Sequence, residues 1–102
     1  MLQPNKILVI RFSSLGDLIL TSPIFRELRR IFPGANLNLL TSVGFGDVLD
    51  NNPHLDRIIK HPRKENFEQL KQLIEELQAE EFDLIYDAHR SMRSRWIVSR
   101  LT

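Results

Sequence analysis

Two periods of apolar residues alternate along this chain. Lys6 to Phe12 is a short β-branched run rather than an alternating one, the pattern of a strand buried on both faces. Leu18, Ile19, Leu20, Ile24, Phe25, Leu28, Ile31 and Phe32 then recur at helical spacing. Pro23 falls inside that stripe, and a proline is tolerated only in a first turn. The pattern therefore predicts a loop over Ser13–Gly16, a short turn near Asp17–Leu20 and a main helix from about Ser22. Pro33-Gly34 stops it.

Leu37–Thr41 reads as a second strand, Gly44–Leu49 as a short helix and Asn51-Asn52-Pro53 as a turn. Arg57–Lys60 is a short third strand, followed by the loop His61-Pro62-Arg63-Lys64. Phe67, Leu70, Ile74 and Leu77 share one helix face, with Asn66 as N-cap. Phe82–Ala88 is a fourth strand. Ser91–Leu101 is helical, with Trp96, Ile97 and Leu101 turned inward.

This alternation favours an α/β fold: a Rossmann-like, three-layer α/β/α domain on a parallel four-stranded sheet. The expected strand order is 3-2-1-4, which sets the first and fourth strands side by side at a topological switch point. The Ser13–Asp17 and His89–Arg93 segments then face one crevice. The fourth strand is left as an open edge, which looks like the front part of a larger protein and would allow pairing with a second copy.

Composition narrows this picture. The 102 residues suffice for one small domain. A net charge of +1 provides no global field for nucleic acid or a membrane surface. The charge is locally uneven: Arg57, Lys60, Arg63 and Lys64 form one basic cluster, and Arg90, Arg93, Arg95 and Arg100 another. The absence of cysteine excludes disulfides and thiolate metal sites, and fits a reducing compartment. No stretch approaches the roughly 20 apolar residues of a membrane span. His54, His61 and His89 lack metal-ligand spacing, so no metal site is expected.

The chemistry-bearing residues gather at the predicted strand ends. Asp17, at the crevice rim, could take a proton from an attacking hydroxyl, although its position alone better suits an acid that complements or caps a helix N-terminus. Ser13 and Ser14 could bind sugar or phosphate oxygens, or simply suit a tight turn. Gly16 permits close backbone approach, but the turn is not a G-x-G-x-x-G fingerprint. Arg11 ends an apolar strand, where a charge needs a partner or a route to solvent. It could clamp an anion, together with the basic loops holding Arg63, Lys64 and Arg90. Asp87 is better suited to organising its loop than to acting as a second acid.

The segment Lys6-Ile7-Leu8-Val9-Ile10-Arg11-Phe12-Ser13-Ser14-Leu15-Gly16-Asp17-Leu18, with Thr21-Ser22-Pro23 after it, resembles the N-terminus of the lipopolysaccharide heptosyltransferases of glycosyltransferase family 9. Phe32-Pro33-Gly34-Ala35, Asn52–Ile59 and Phe82–Ala88 extend the resemblance to nearly the whole chain. The family often continues the last of these with Gln-Gly, whereas this chain has His89-Arg90.

The resemblance implies a two-domain GT-B fold in which residues 1–102 are an incomplete, acceptor-side N-terminal domain. The donor-binding C-terminal domain is absent, so this chain alone should not complete the reaction. The implied reaction is an inverting transfer of heptose from ADP-heptose to a lipid A-core acceptor, without metal or other cofactor. Asp17 matches the proposed base, and Ser13 and Ser14 lie in the acceptor-side loop. Arg11 matches a basic family position, and Arg63 and Lys64 fall in a basic acceptor-binding region. The implied location is cytoplasmic, in peripheral contact with the inner face of the inner membrane. The competing expectation is a non-enzymatic α/β module that binds an anion or nucleotide.

Overall fold

A computed structural model describes residues 4–12, 15–44, 49–50, 52–62 and 66–101, and for residues 15–20, 92 and 93 it describes the backbone only. The elements follow the expected alternation: β1 (Lys6–Ile10), α1 (Leu15–Ile31), β2 (Asn36–Ser42), β3 (Arg57–His61), α2 (Phe67–Glu80), β4 (Leu84–Asp87) and α3 (Met92–Leu101). All strand pairings are parallel and the sheet order is β3-β2-β1-β4. The expected topology is therefore the observed one.

β1 is the centre of the fold. Ile7, Leu8, Val9 and Ile10 are fully buried. Their alternation divides the core into two layers. Ile7 and Val9 pack with Phe25 of α1 and with Leu37 and Leu39 of β2. Leu8 and Ile10 pack on the other face with Leu73, Ile74 and Leu77 of α2 and Ile97 of α3. A strand covered on both sides reads as a continuous apolar run, which is why β1 was legible without alternation.

Several local expectations are corrected. α1 is one continuous helix from Leu15, not a turn followed by a helix from Ser22, so Gly16 and Asp17 lie in its first turn rather than in a loop. Pro23 sits on an exposed face, while Thr21 and Phe25 on either side are buried. β1 ends at Ile10 and β4 spans only Leu84–Asp87, shorter than the expected Lys6–Phe12 and Phe82–Ala88. β3 runs one residue further than expected, to His61, which pairs with Ser42. Of the expected Gly44–Leu49 helix, residues 45–48 lie outside the described residues; Leu49 is buried against the α1 layer.

α2 begins as expected: Asn66 accepts from the Gln69 backbone N–H, and the Gln69 side chain accepts from Asn66 in return. Its buried face is Leu73, Ile74 and Leu77, whereas Phe67 is 66% exposed. Trp96, expected inward, is 38% exposed and lies 6.3 Å from the Phe67 ring across the outside of α2 and α3. With only one α3 face reaching the sheet, Ile97 takes the inward position and its neighbour Trp96 is turned outward. Ile31 is likewise half exposed, at the last turn of α1.

The N-terminal ends of the strands are cross-linked by charge. The Arg29 guanidinium donates to the carbonyls of Ala35 (2.6 Å) and His54 (3.0 Å) and to Asp56 (2.6 Å). Asp56 also accepts from the Leu37 N–H at 2.7 Å. That backbone bond, reinforced by Arg29, holds the Asp56 carboxyl below its ordinary value near 3.8 despite partial burial. Asp83 accepts from the Asn5 and Lys6 N–H groups at 2.8 and 2.9 Å. Glu80 binds Lys6 and Arg57, and its carboxyl is lowered first by Lys6 and then by Arg57. Arg57 thus belongs to this end of the sheet, whereas Lys60 of the same sequence cluster pairs with Asp50.

A carboxyl lowered on folding adds stability above its unfolded pKa and loses it as pH falls through the folded value. Urea unfolding measured between about pH 6 and pH 2 should therefore show a falling midpoint in the acid limb. Asp56→Asn should flatten that limb. An unchanged limb in this variant would remove Asp56 from the acid response.

Candidate active site

The opposite, C-terminal ends of the strands are where the chemistry-bearing residues are expected from sequence. β1 and β4 pair up to Ile10 and Asp87, so the segments after them start about 5 Å apart. The end of β3 at His61 lies two strands away, at roughly 10 Å. The fold thus brings the approach to Asp17 next to the His89–Arg90 segment, with the His61-Pro62 loop further along the same end.

Arg11 resolves its unfavourable position with main-chain partners. Its backbone N–H donates to Leu40 O at 3.0 Å, and its Nη1 donates to Ala88 O at 2.7 Å. The Ala88 N–H donates in turn to Ile10 O at 3.0 Å. Arg11 is therefore a strut between the β1 end and the segment after β4. Next to it, the Phe12 and His89 rings meet edge to face at 5.5 Å.

Asp87 takes the organising role expected of it. Its Oδ1 accepts from the N–H groups of His89 (3.1 Å) and Arg90 (2.8 Å), the pattern of an Asx turn. Arg90 closes that turn with φ 57°, in the left-handed region that costs a side-chain-bearing residue on the order of 1 kcal/mol. Ser91 and Ser94 then cap α3 reciprocally: Ser94 N–H donates to Ser91 Oγ at 3.1 Å, and Ser91 N–H to Ser94 Oγ at 2.8 Å.

Ser13, Ser14, Arg63 and Lys64 lie outside the described residues, and for Gly16 and Asp17 the backbone alone is described. Lys60 forms an ion pair with Asp50 at 3.1 Å, which partly neutralises the basic rim at β3. Among the described residues, no three His, Asp or Glu side chains gather as metal ligands. No described helix is long and apolar enough to cross a membrane. The sequence anticipated Asp87 as an organiser of its loop but not the left-handed conformation of Arg90 in that turn.

No family model matches the chain. Among curated proteins it is 28% identical over 105 residues to lipopolysaccharide heptosyltransferase 1 of Escherichia coli K12, a match covering 94% of this chain and 33% of that protein. It is 27% identical over 101 residues to lipopolysaccharide heptosyltransferase 1 of Pseudomonas aeruginosa PAO1, covering 90% of this chain and 28% of that protein. Among solved structures it superposes on the E. coli heptosyltransferase WaaC with ADP-2-deoxy-2-fluoro heptose with TM-score 0.79 at 27% identity, over 94% of this chain and 33% of that one. The chain is a relative of the lipopolysaccharide heptosyltransferases. A glycosyl transferase family 9 protein of Veillonella parvula has the same fold, with TM-score 0.88 at 24% identity over 96% of this chain and 30% of that one. The chain spans about a third of the length of the curated relatives it matches.

The strut is testable. Arg11→Met should lower the unfolding free energy by about 1.5–3 kcal/mol, the worth of a charge-assisted hydrogen bond. Amide exchange should accelerate at Ala88 and His89 ahead of the rest of the sheet. Unchanged exchange at both positions would show that Ala88 is held without Arg11.

Proposed function

We propose that this chain forms the acceptor-side part of an inverting glycosyltransferase that moves heptose from ADP-heptose to the inner core of lipopolysaccharide. The observation that carries the reading is its similarity over 94% of its length to lipopolysaccharide heptosyltransferase 1 of E. coli. The sheet order supports it by setting the ends of β1 and β4, with Arg11 and Arg90, at one ligand-accepting edge.

In this reading the acceptor is a lipid A-core saccharide. Asp17 accepts the proton of its attacking hydroxyl as the new bond to the heptose anomeric carbon forms. The bond to ADP breaks on the opposite face of the sugar, so the configuration inverts in a single displacement. Ser13 and Ser14 bind acceptor oxygens, while Arg63, Lys64 and Arg90 meet its anionic groups. Arg11 contributes chiefly by holding the Ala88 carbonyl, and with it the adjoining loop. ADP-heptose is held mainly by a second domain of the GT-B type. The reaction lies on the cytoplasmic side, with the lipid acceptor bringing the protein to the inner face of the inner membrane.

The test is heptose transfer from ADP-heptose to a heptose-free lipid A core by the complete gene product. Asp17→Asn should lower kcat by about 100-fold or more without moving the unfolding midpoint. Wild-type turnover in that variant would take the base role from Asp17. Calorimetry with ADP on the 102-residue chain should detect only weak binding. Tight binding would favour a nucleotide-binding module over the transferase.

A further inference from the structure

We infer that Arg90, held in a left-handed backbone conformation by the Asp87 carboxylate, sets the preference of this sheet end for an anionic over an uncharged acceptor. The inference rests on the acceptor-side reading above and adds the device that would give that site its charge selectivity.

The backbone is the first argument. Among the described residues only Glu81 and Arg90 have positive φ without being glycine. Glu81 closes α2, where a left-handed residue is the ordinary way to end a helix. Arg90 ends no helix; it completes the turn between β4 and α3. Glycine would adopt that conformation without a side-chain penalty. Arginine there carries the penalty and adds a guanidinium, a planar donor suited to phosphate or carboxylate.

Placement is the second argument. The turn follows the strand paired with β1, at the end of a parallel sheet where ligands are received. Three contacts fasten it: the two Asp87 bonds to the His89 and Arg90 N–H groups, and the Arg11 bond to Ala88 O. A cation carried on a fastened backbone loses less freedom when it binds than one on a loose loop.

Availability is the third argument. Arg29, Arg57 and Lys60 are each engaged by a carboxylate. Arg90 is exposed and, among the described residues, forms no ion pair. Asp87 spends its Oδ1 on backbone N–H groups, so it sets the turn and acts as a positioning residue for Arg90.

Equilibrium binding by the complete gene product tests this, with three probes in detergent micelles: a Kdo-bearing lipid A core, the same core dephosphorylated, and the same core with its carboxyl groups reduced. Wild type should bind the intact core at least about tenfold more tightly than one of the trimmed forms. Arg90→Gly should reduce that difference while unfolding no more easily than wild type. The trimmed form concerned identifies the anion as phosphate or carboxylate. Asp87→Ala should follow Arg90→Gly, and Asp87→Asn, which keeps an accepting oxygen, should retain the preference. Wild-type selectivity in Arg90→Gly would overturn the inference, and equal losses in the two Asp87 variants would overturn the positioning role. Selective binding without heptose transfer would sink the transferase reading and leave Arg90 in place. Failure to bind any of the three cores would sink both.

Discussion

The pairing of β1 with strands on both sides is the constraint from which the rest of this structure follows. Four consecutive residues, Ile7 to Ile10, are fully buried, so their backbone groups cannot turn to water. They pair with β2 on one side and β4 on the other. Once both registers are set, so are the places where α1 leaves the sheet and where the β4–α3 turn arrives. A one-residue slip would exchange the two core layers, moving Ile7 and Val9 from the α1 side to the α2 side.

The two ends of the sheet are built differently. At the N-terminal end, Asp56, Asp83 and Glu80 each bind groups from separate elements, including main-chain N–H groups of Asn5, Lys6 and Leu37. These contacts fix where strands begin. At the C-terminal end the contacts among the described residues tie loops to strands: Arg11 to Ala88, Phe12 to His89, and Asp87 to the two residues after Ala88.

Arg11 shows how a single residue can serve both needs. A charge at the end of a buried strand carries a desolvation cost unless its donors find acceptors. The Ala88 carbonyl, otherwise a strand-end acceptor, is that partner. Arg11 stood out from sequence because it was the wrong residue type for its run. Its partner lies 77 positions away and could not be read from the chain.

The periodicity of the chain by itself determined the alternation of strands and helices, the doubly buried first strand and, through the handedness of crossovers, the order β3-β2-β1-β4. It also marked Asn66 as a cap, since capping is a local contest between neighbouring groups. The resemblance around Asp17 was legible because residue type and spacing carry it. Tertiary structure alone decided the rest. Pro23 stays within α1 because buried residues dock the helix on both sides of an exposed proline, and packing outweighs propensity. Trp96 turns outward because one helix face reaches the sheet and Ile97 occupies it. Arg57 and Lys60, near neighbours in one basic run, pair with Glu80 and Asp50 because partners are chosen in space. The left-handed Arg90 belongs to the same class: nothing in an Ala-His-Arg-Ser run requires a positive φ, and the Asp87 carboxylate at the end of β4 imposes it.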